Sequence, residues 1–289
     1  MKQNQSSQSA AGVAFFRACE AQKPEAERIC YDPYARAFVS GFLLDLNKLV
    51  NLPDLYERIS PGSTSFIFVR ERYIDDILKA NLSDGLEQVV ILGAGFDTRA
   101  YRIAGIEKTR VFEIDYPATQ EVKLKGLKKV VDPLPDHVTF LPVDFNTQTL
   151  DDRLKNSAYN ERAKTLFIWQ GVTYFLTAEG VDSTLAFIAN HSGPGSAVIF
   201  DYFYNEVLRD PSRKDIQAMR KTAQIAGEEY MFGIDRGKVE SYLTQRNFTD
   251  VRDMTLADLK QLYFTGPNAK RVVPDGLAIV SAEVDKAKV

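Results

Sequence analysis

One segment constrains this chain more than any other: Val89-Val90-Ile91-Leu92-Gly93-Ala94-Gly95-Phe96-Asp97-Thr98. Its opening run of aliphatic residues makes a strand of the kind buried on both faces, which belongs to parallel sheets covered by helices on either side. Gly93 and Gly95 then form a turn in which the backbone can approach a ligand closely, and a helix start after it presents unpaired amides. Strand, glycine turn and helix in that order open a nucleotide-binding unit. Thr98 stands where the dinucleotide fingerprint has its third glycine, so the turn alone does not name the ligand.

The surrounding sequence repeats this alternation. Short β-rich runs at 88–92, 109–114, 138–143, 165–169 and 197–200 are separated by segments of helical length and pattern, the signature of a doubly wound parallel sheet. Two further strands are expected at 251–254 and 277–283. The first 84 residues differ: 10–21, 32–46 and 69–82 carry helical spacing, with turn signals at Pro24, Pro53 and Pro61. We therefore expect a helical N-terminal cover over 1–84 and an α/β core over 85–289, with residues 202–236 inserted as a lid, all in one folding unit.

Composition narrows the partners. The 289 residues carry 36 Lys and Arg against 39 Asp and Glu, a net charge of −3, so no positive field gathers nucleic acid or anionic lipid. The longest apolar runs fall short of the roughly 20 residues that span a bilayer. The polar Gln/Ser start does not read as a secretory signal, so a cytoplasmic protein is expected. The two cysteines, Cys19 and Cys30, have no disulfide or zinc spacing, and no metal site is expected. A small-molecule partner follows.

Polar groups stand where the strands deliver their carboxyl ends, the ligand edge of such a sheet. Asp115, 20 residues after Gly95, suits ribose hydroxyls. Asp144 can accept from an adenine amine while Phe145 offers its amide and an apolar face. Gln170 and Asp201 close the fourth and fifth strands. In the helix at 69–82, Arg70 belongs to the apolar stripe of Tyr73, Ile74, Ile77, Leu78 and Leu82. A buried guanidinium needs a carboxylate. S-adenosylmethionine brings one on its amino-acid end and NAD does not; an internal Arg–Asp pair is the structural alternative. Arg72 faces Asp75, Asp76 and Lys79, as a surface ion pair would. No Tyr-x-x-x-Lys pair or G-x-S-x-G elbow follows the turn, so hydride transfer and esterase chemistry lose ground. His137 and His191 both precede strands, at the edge opposite the crevice.

Taken together, GAGFDTRAYR at 93–102, FEIDYP at 112–117, Asp144-Phe145, GVTYFL at 171–176 and DPYA at 32–35 resemble the leucine carboxyl methyltransferase family, especially its bacterial branch that includes polyketide O-methyltransferases. The resemblance covers roughly residues 8–205. It implies an α/β fold of the Rossmann-like class I methyltransferase type, doubly wound and seven-stranded with the last strand antiparallel, and S-adenosyl-L-methionine as cofactor. By motif, Arg70 would hold the methionyl carboxylate and Gly93, Ala94 and Gly95 would pass beneath the methionyl group. Asp115 would take the ribose, and Asp144 with Phe145 the adenine. Gln170 stands where the family usually has Glu, removing a charge that could pair with the methionyl ammonium. Asp97 is expected to cap a helix beginning at Thr98, and Arg102 to pair with a nearby acid.

Methyl transfer from a sulfonium is an in-line displacement, in which alignment and water exclusion matter most. With no histidine expected at the crevice, no catalytic base is assigned. A carboxylate, already ionised at neutral pH, is the favoured acceptor, giving the methyl ester of a polyketide-like or aromatic acid. Tyr174, Tyr202 and Phe203 follow strand ends and could line its pocket. The alternatives are carboxyl methylation of a protein C-terminus, phenol O-methylation, a non-catalytic cofactor-binding regulator, and an NAD-dependent dehydrogenase. The acceptor's identity and the oligomeric state are not written in the sequence.

Overall fold

The computed structural model describes residues 7–144, 148–225, 227–285 and 287. Its strands are β1 (Gln88–Leu92), β2 (Arg110–Asp115), β3 (Val138–Pro142), β4 (Thr165–Trp169), β5 (Ala197–Phe203), β6 (Phe248–Thr255) and β7 (Leu277–Val284), hydrogen-bonded in the order β3-β2-β1-β4-β5-β7-β6. β1 to β5 pair parallel, and β7 runs antiparallel to both β5 and β6. Every residue of β1 and β4 is buried, as the apolar runs of the sequence require of strands covered on both faces.

The strand order reverses between β1 and β4, and ligands of open α/β sheets bind at such a switch point, outside the carboxyl ends. Register fixes which residues meet there. Leu92 lies opposite Ile114, Asp115 opposite Pro142 and Trp169 opposite Phe200. Gly93, Asp115, Val143 and Gln170 therefore come out at neighbouring strand tips, and Asp201, expected to close the fifth strand, lies beside them within β5.

Helices follow in chain order: α1 (Gln8–Glu20), α2 (Gly41–Val50), α3 (Leu52–Ile59), α4 (Ser63–Ser83), α5 (Arg99–Arg102), α6 (Pro117–Leu127), α7 (Leu150–Lys155), α8 (Ala178–Asn190), α9 (Asn205–Arg209), α10 (Lys214–Ile225), α11 (Val239–Thr244) and α12 (Leu256–Tyr263). Among the described residues, no helix is long and apolar enough to cross a membrane. Ser7 caps α1 by accepting from the Ala10 amide.

Four local differences from the sequence reading have physical causes. The helix expected at 32–46 is split: Asp32 Oδ1 accepts from the Tyr34 and Ala35 amides and starts a 3-10 turn at Ala35–Phe38, after which Ser40 caps α2. Pro53, read as a turn signal, sits in the first turn of α3, where its missing N–H costs nothing. β5 runs three residues beyond 200 because β7 keeps pairing with it, Tyr202 to Ala278 and Phe203 to Leu277. The expected helix at Thr98 is one turn beginning at Arg99; Thr98 makes no side-chain cap, and Asp97 Oδ1 accepts from the Arg99 amide at 2.7 Å.

Candidate functional site

A cavity of about 800 Å³ opens over the carboxyl ends of the strands, roofed by α1 and by residues 228 and 231 from the segment after α10. β1 delivers the glycine turn to its floor. Gly93 has φ +65° and Gly95 φ +45°, a region costly to side-chain-bearing residues. A Cβ on Gly93 would also collide with the Val172 side chain, and one on Gly95 would come within 3.2 Å of Ala10 Cβ. The turn is thus glycine because backbone sign and close packing both demand it. The four-residue α5 is too short to offer the helix N-terminus that the sequence suggested.

Asp115, at the tip of β2, lines the cavity. Its carboxylate accepts from the Gly95 amide and, at 2.6 Å, from its neighbour Tyr116, so it braces the glycine turn while facing the ligand space. Burial pushes its pKa up, against the two backbone bonds that lower it. Asp144, after β3, is also on the wall. Phe145, its expected companion, lies outside the described residues.

Arg70 is buried, as its place on the stripe of α4 predicts. Its Nη1 donates to Asp201 Oδ2 at 2.6 Å and reaches the Tyr174 hydroxyl at 3.4 Å, and the guanidinium lies over the Phe66 ring. Asp201 Oδ1 accepts from the Gly171 amide at 2.6 Å. The internal Arg–Asp pair and a place on the cavity wall are therefore both true of Arg70, whose Nε has no hydrogen-bond partner among the described residues. Gln170 donates from Nε2 to Glu71 Oε1 at 2.7 Å. Its Oε1 is buried without a hydrogen-bond partner among the described residues.

Of the three aromatic residues expected at the acceptor pocket, the cavity meets only Tyr174. Tyr202 is turned by strand alternation to the other face of β5, where its hydroxyl donates to Asp253 at 2.9 Å. Phe203 is buried behind the wall, with its ring 5.1 Å from that of Tyr174 and 5.0 Å from that of Tyr230. Phe175 and Met231 take their place on the wall. His137 and His191 are not among the lining residues; His137 Nε2 lies 2.9 Å from the Ala100 carbonyl oxygen.

Several lining residues escaped the sequence reading. Glu71 is buried beside Arg70, on a helix face wider than a three-or-four stripe suggests. It joins an ion network spanning three elements: Arg17 pairs with Asp32 at 3.2 Å and with Glu71 at 3.5 Å, Arg99 with Glu71, Asp75 and Asp97, and Arg102 with Asp75. Asp75, expected on the surface beside Arg72, belongs to this network because α4 is buried on that side too; Arg72 makes its ion pair with Asp76 at 2.9 Å. Arg102 finds its acid, as expected. Although burial opposes their charge, the guanidiniums hold the carboxyls of Glu71 and Asp97 below the usual range. Glu228 carries no sequence signal at all: it accepts from Ser9 Oγ at 3.1 Å, and its other oxygen is buried without a partner among the described residues. Burial raises its pKa, with the Ser9 bond opposing.

A doubly wound seven-stranded sheet with β7 reversed and a cavity at the switch point defines the Rossmann-like class I methyltransferase fold. The sequence model of the leucine carboxyl methyltransferase family matches residues 10–189, and the chain belongs to that family. It is 31% identical over 198 residues to YktD of Bacillus subtilis, provisionally named an S-adenosyl-L-methionine-dependent methyltransferase; the match covers 68% of this chain and 65% of that protein. A Rhodococcus jostii protein of the same provisional name is 30% identical over 92% of this chain and 88% of its own length. The fold is shared with a DUF574 family protein from Streptomyces avermitilis, with a TM-score of 0.62 at 11% identity over 97% of this chain and 98% of that one. A Thermobifida fusca protein provisionally named a methyltransferase superposes with a TM-score of 0.57 at 13% identity, over 94% of each chain.

Proposed function

We propose that this protein is an S-adenosyl-L-methionine-dependent O-methyltransferase acting on a small, partly apolar acceptor. The observation that carries the reading is a single cavity in which the glycine turn, Asp115, Asp144, Arg70 and Gln170 converge and continue into a wall of Tyr174, Phe175 and Met231. The residues fit the cofactor. Gln170 Oε1 is an orphaned acceptor that an ammonium would satisfy, and Arg70 is a cation suited to the methionyl carboxylate. Asp115 retains lone pairs for the ribose hydroxyls, and the Asp144 carboxylate, on the same wall, is of the type that accepts from an adenine amine. Bound there, the cofactor supplies an electrophilic methyl group on a sulfonium; the protein aligns acceptor and methyl and excludes water beneath α1 and the segment after α10.

The favoured acceptor oxygen shifts from the one the sequence suggests. The sequence favours a carboxylate because no histidine is expected at the crevice, yet Glu228 lines the cavity, with one oxygen lacking a hydrogen-bond partner among the described residues. The two guanidiniums on the wall, Arg17 and Arg70, are already engaged by Asp32, Glu71 and Asp201, so an anionic acceptor meets no unpaired arginine among the described lining residues. Both facts favour a phenol-like hydroxyl whose proton passes to Glu228 as the C–O bond forms. The carboxylate remains the second reading, favoured by the family's description and by the sulfonium charge beside it.

Titration with S-adenosylmethionine, S-adenosylhomocysteine and NAD tests the cofactor: NAD binding without the sulfur nucleosides rejects the proposal. Base treatment of methyl-labelled product separates the acceptors, since an ester releases volatile methanol and an aryl ether keeps its label.

A further inference from the structure

We propose that Glu71 is a positioning residue for the cofactor: it turns the Gln170 side chain so that Oε1 receives the α-ammonium of the methionyl group, and its buried ion network holds the negative charge which that ammonium balances. The inference rests on the methyltransferase reading above and adds to it how the amino-acid end is sorted into carboxylate and ammonium.

The first argument is the orientation of an amide. A carboxylate held ionised can only accept hydrogen bonds, so the end of Gln170 that lies 2.7 Å from Glu71 Oε1 must be its nitrogen. The carbonyl oxygen is then the other end of a side chain that belongs to the cavity lining, buried and without a hydrogen-bond partner among the described residues. A buried acceptor left unsatisfied is costly, and a ligand N–H at that point removes the cost. A carboxylate at position 170 could not take this place, because two like charges at hydrogen-bond distance cannot both ionise.

The second argument is charge. The network contains three guanidiniums, Arg17, Arg99 and Arg102, and four carboxylates, Asp32, Glu71, Asp75 and Asp97. Two further cations have acids of their own: Arg70 pairs with Asp201, and Lys123, which also acts on Asp97, pairs with Glu113 at 2.6 Å. One negative charge is left over in a buried cluster, and an unbalanced buried charge is stable only when a counter-charge arrives. Three members line the cavity, Arg17, Glu71 and Asp97, two of them carboxylates, so a counter-charge can enter from the ligand side. Arg70, on the same wall, keeps Nη1 on Asp201 and leaves Nε, which has no hydrogen-bond partner among the described residues, for the ligand's carboxylate.

Calorimetry with three probes tests this: S-adenosylhomocysteine, its decarboxylated analogue, which keeps the ammonium, and its deaminated analogue, which keeps the carboxylate. Gln170→Met is expected to weaken the two ammonium-bearing ligands by about tenfold or more and to change the deaminated one less than about twofold, as loss of a charge-assisted hydrogen bond dictates. Glu71→Gln keeps a partner for the Gln170 amide but removes the charge, and the same selectivity is expected at smaller size. A purely structural role would weaken all three ligands alike. Equal losses, or none, in Gln170→Met overturn the inference even if Glu71→Gln fails to fold. Selective loss in Gln170→Met with none in a folded Glu71→Gln removes Glu71 from the role. If none of the three probes binds the unaltered protein, the methyltransferase reading falls first and this inference with it.

Discussion

Arg70 and Asp201 form a buried ion pair, Nη1 to Oδ2 at 2.6 Å, that ties α4 to β5. Asp201 Oδ1 holds the Gly171 amide, so one carboxylate fixes both the guanidinium and the loop after β4. Asp201→Ala leaves a buried cation unpaired, and a loss of about 3–5 kcal/mol of unfolding free energy is expected in urea titrations. Saturating S-adenosylhomocysteine should recover more stability in the variant than in the parent, because the ligand carboxylate replaces the missing partner. Equal recovery in both proteins would place the ligand carboxylate away from Arg70.

Asp115 braces the Gly95 amide as well as facing the cavity, so Asp115→Ala would mix a folding effect with a binding effect. Asp115→Asn keeps an oxygen for the Gly95 amide but sets an NH2 against the Tyr116 amide, so part of the folding effect remains. It is expected to weaken S-adenosylhomocysteine by about tenfold, the cost of degrading charge-assisted bonds to two hydroxyls, with a melting temperature between those of Asp115→Ala and the parent. Unchanged affinity would remove Asp115 from the ribose position.

The parts of this molecule that were legible in the sequence are those where local pattern and burial coincide. β1 and β4 occupy the spans that their apolar runs mark, since strands covered on both faces need no tertiary information to be recognised. Arg70 betrayed itself as the wrong residue type on an apolar stripe. β6 shows where the reading shortens: its register shifts between Thr249 and Arg252, and Asp250 has φ +49°, so the alternation that marks a strand is broken by a bulge. Glu71 and Glu228 were invisible for another reason. A carboxylate on a helix or loop reads as solvated until its distant partners are known, and these partners, Gln170 and Ser9, lie 99 and 219 residues away. Tyr202 and Phe203 fail in the opposite sense, because an aromatic residue at a strand tip has two faces to choose between and only packing decides.

Gly93 offers a test of the turn itself. At φ +65° an alanine costs about 1–2 kcal/mol in backbone strain alone, and here its Cβ also meets the Val172 side chain. Gly93→Ala is therefore expected to lose more than the strain term and to abolish measurable S-adenosylhomocysteine binding by displacing the loop after β4. Adding Val172→Ala should relieve the overlap and restore part of the stability, leaving the strain. A double variant no more stable than the single would show that the overlap is absorbed elsewhere.

Glu228 joins the segment after α10 to α1 through Ser9, and its pH behaviour follows from burial, which outweighs the opposing Ser9 hydrogen bond. Its folded pKa is raised, so the stability it contributes is fully present below the ordinary glutamate value, near about 4, and is lost as pH rises through the folded value. Glu228→Gln lacks that loss. Its urea midpoint relative to the parent should climb as pH rises from about 4 and then level off; a relative fall would mean that a cation faces the carboxylate. The same variant tests the chemistry. If Glu228 takes the proton of a hydroxyl acceptor, methyl transfer should slow by about 10²–10⁴-fold while S-adenosylhomocysteine affinity holds. Undiminished transfer with base-labile product would return the acceptor to a carboxylate, for which no proton need be removed.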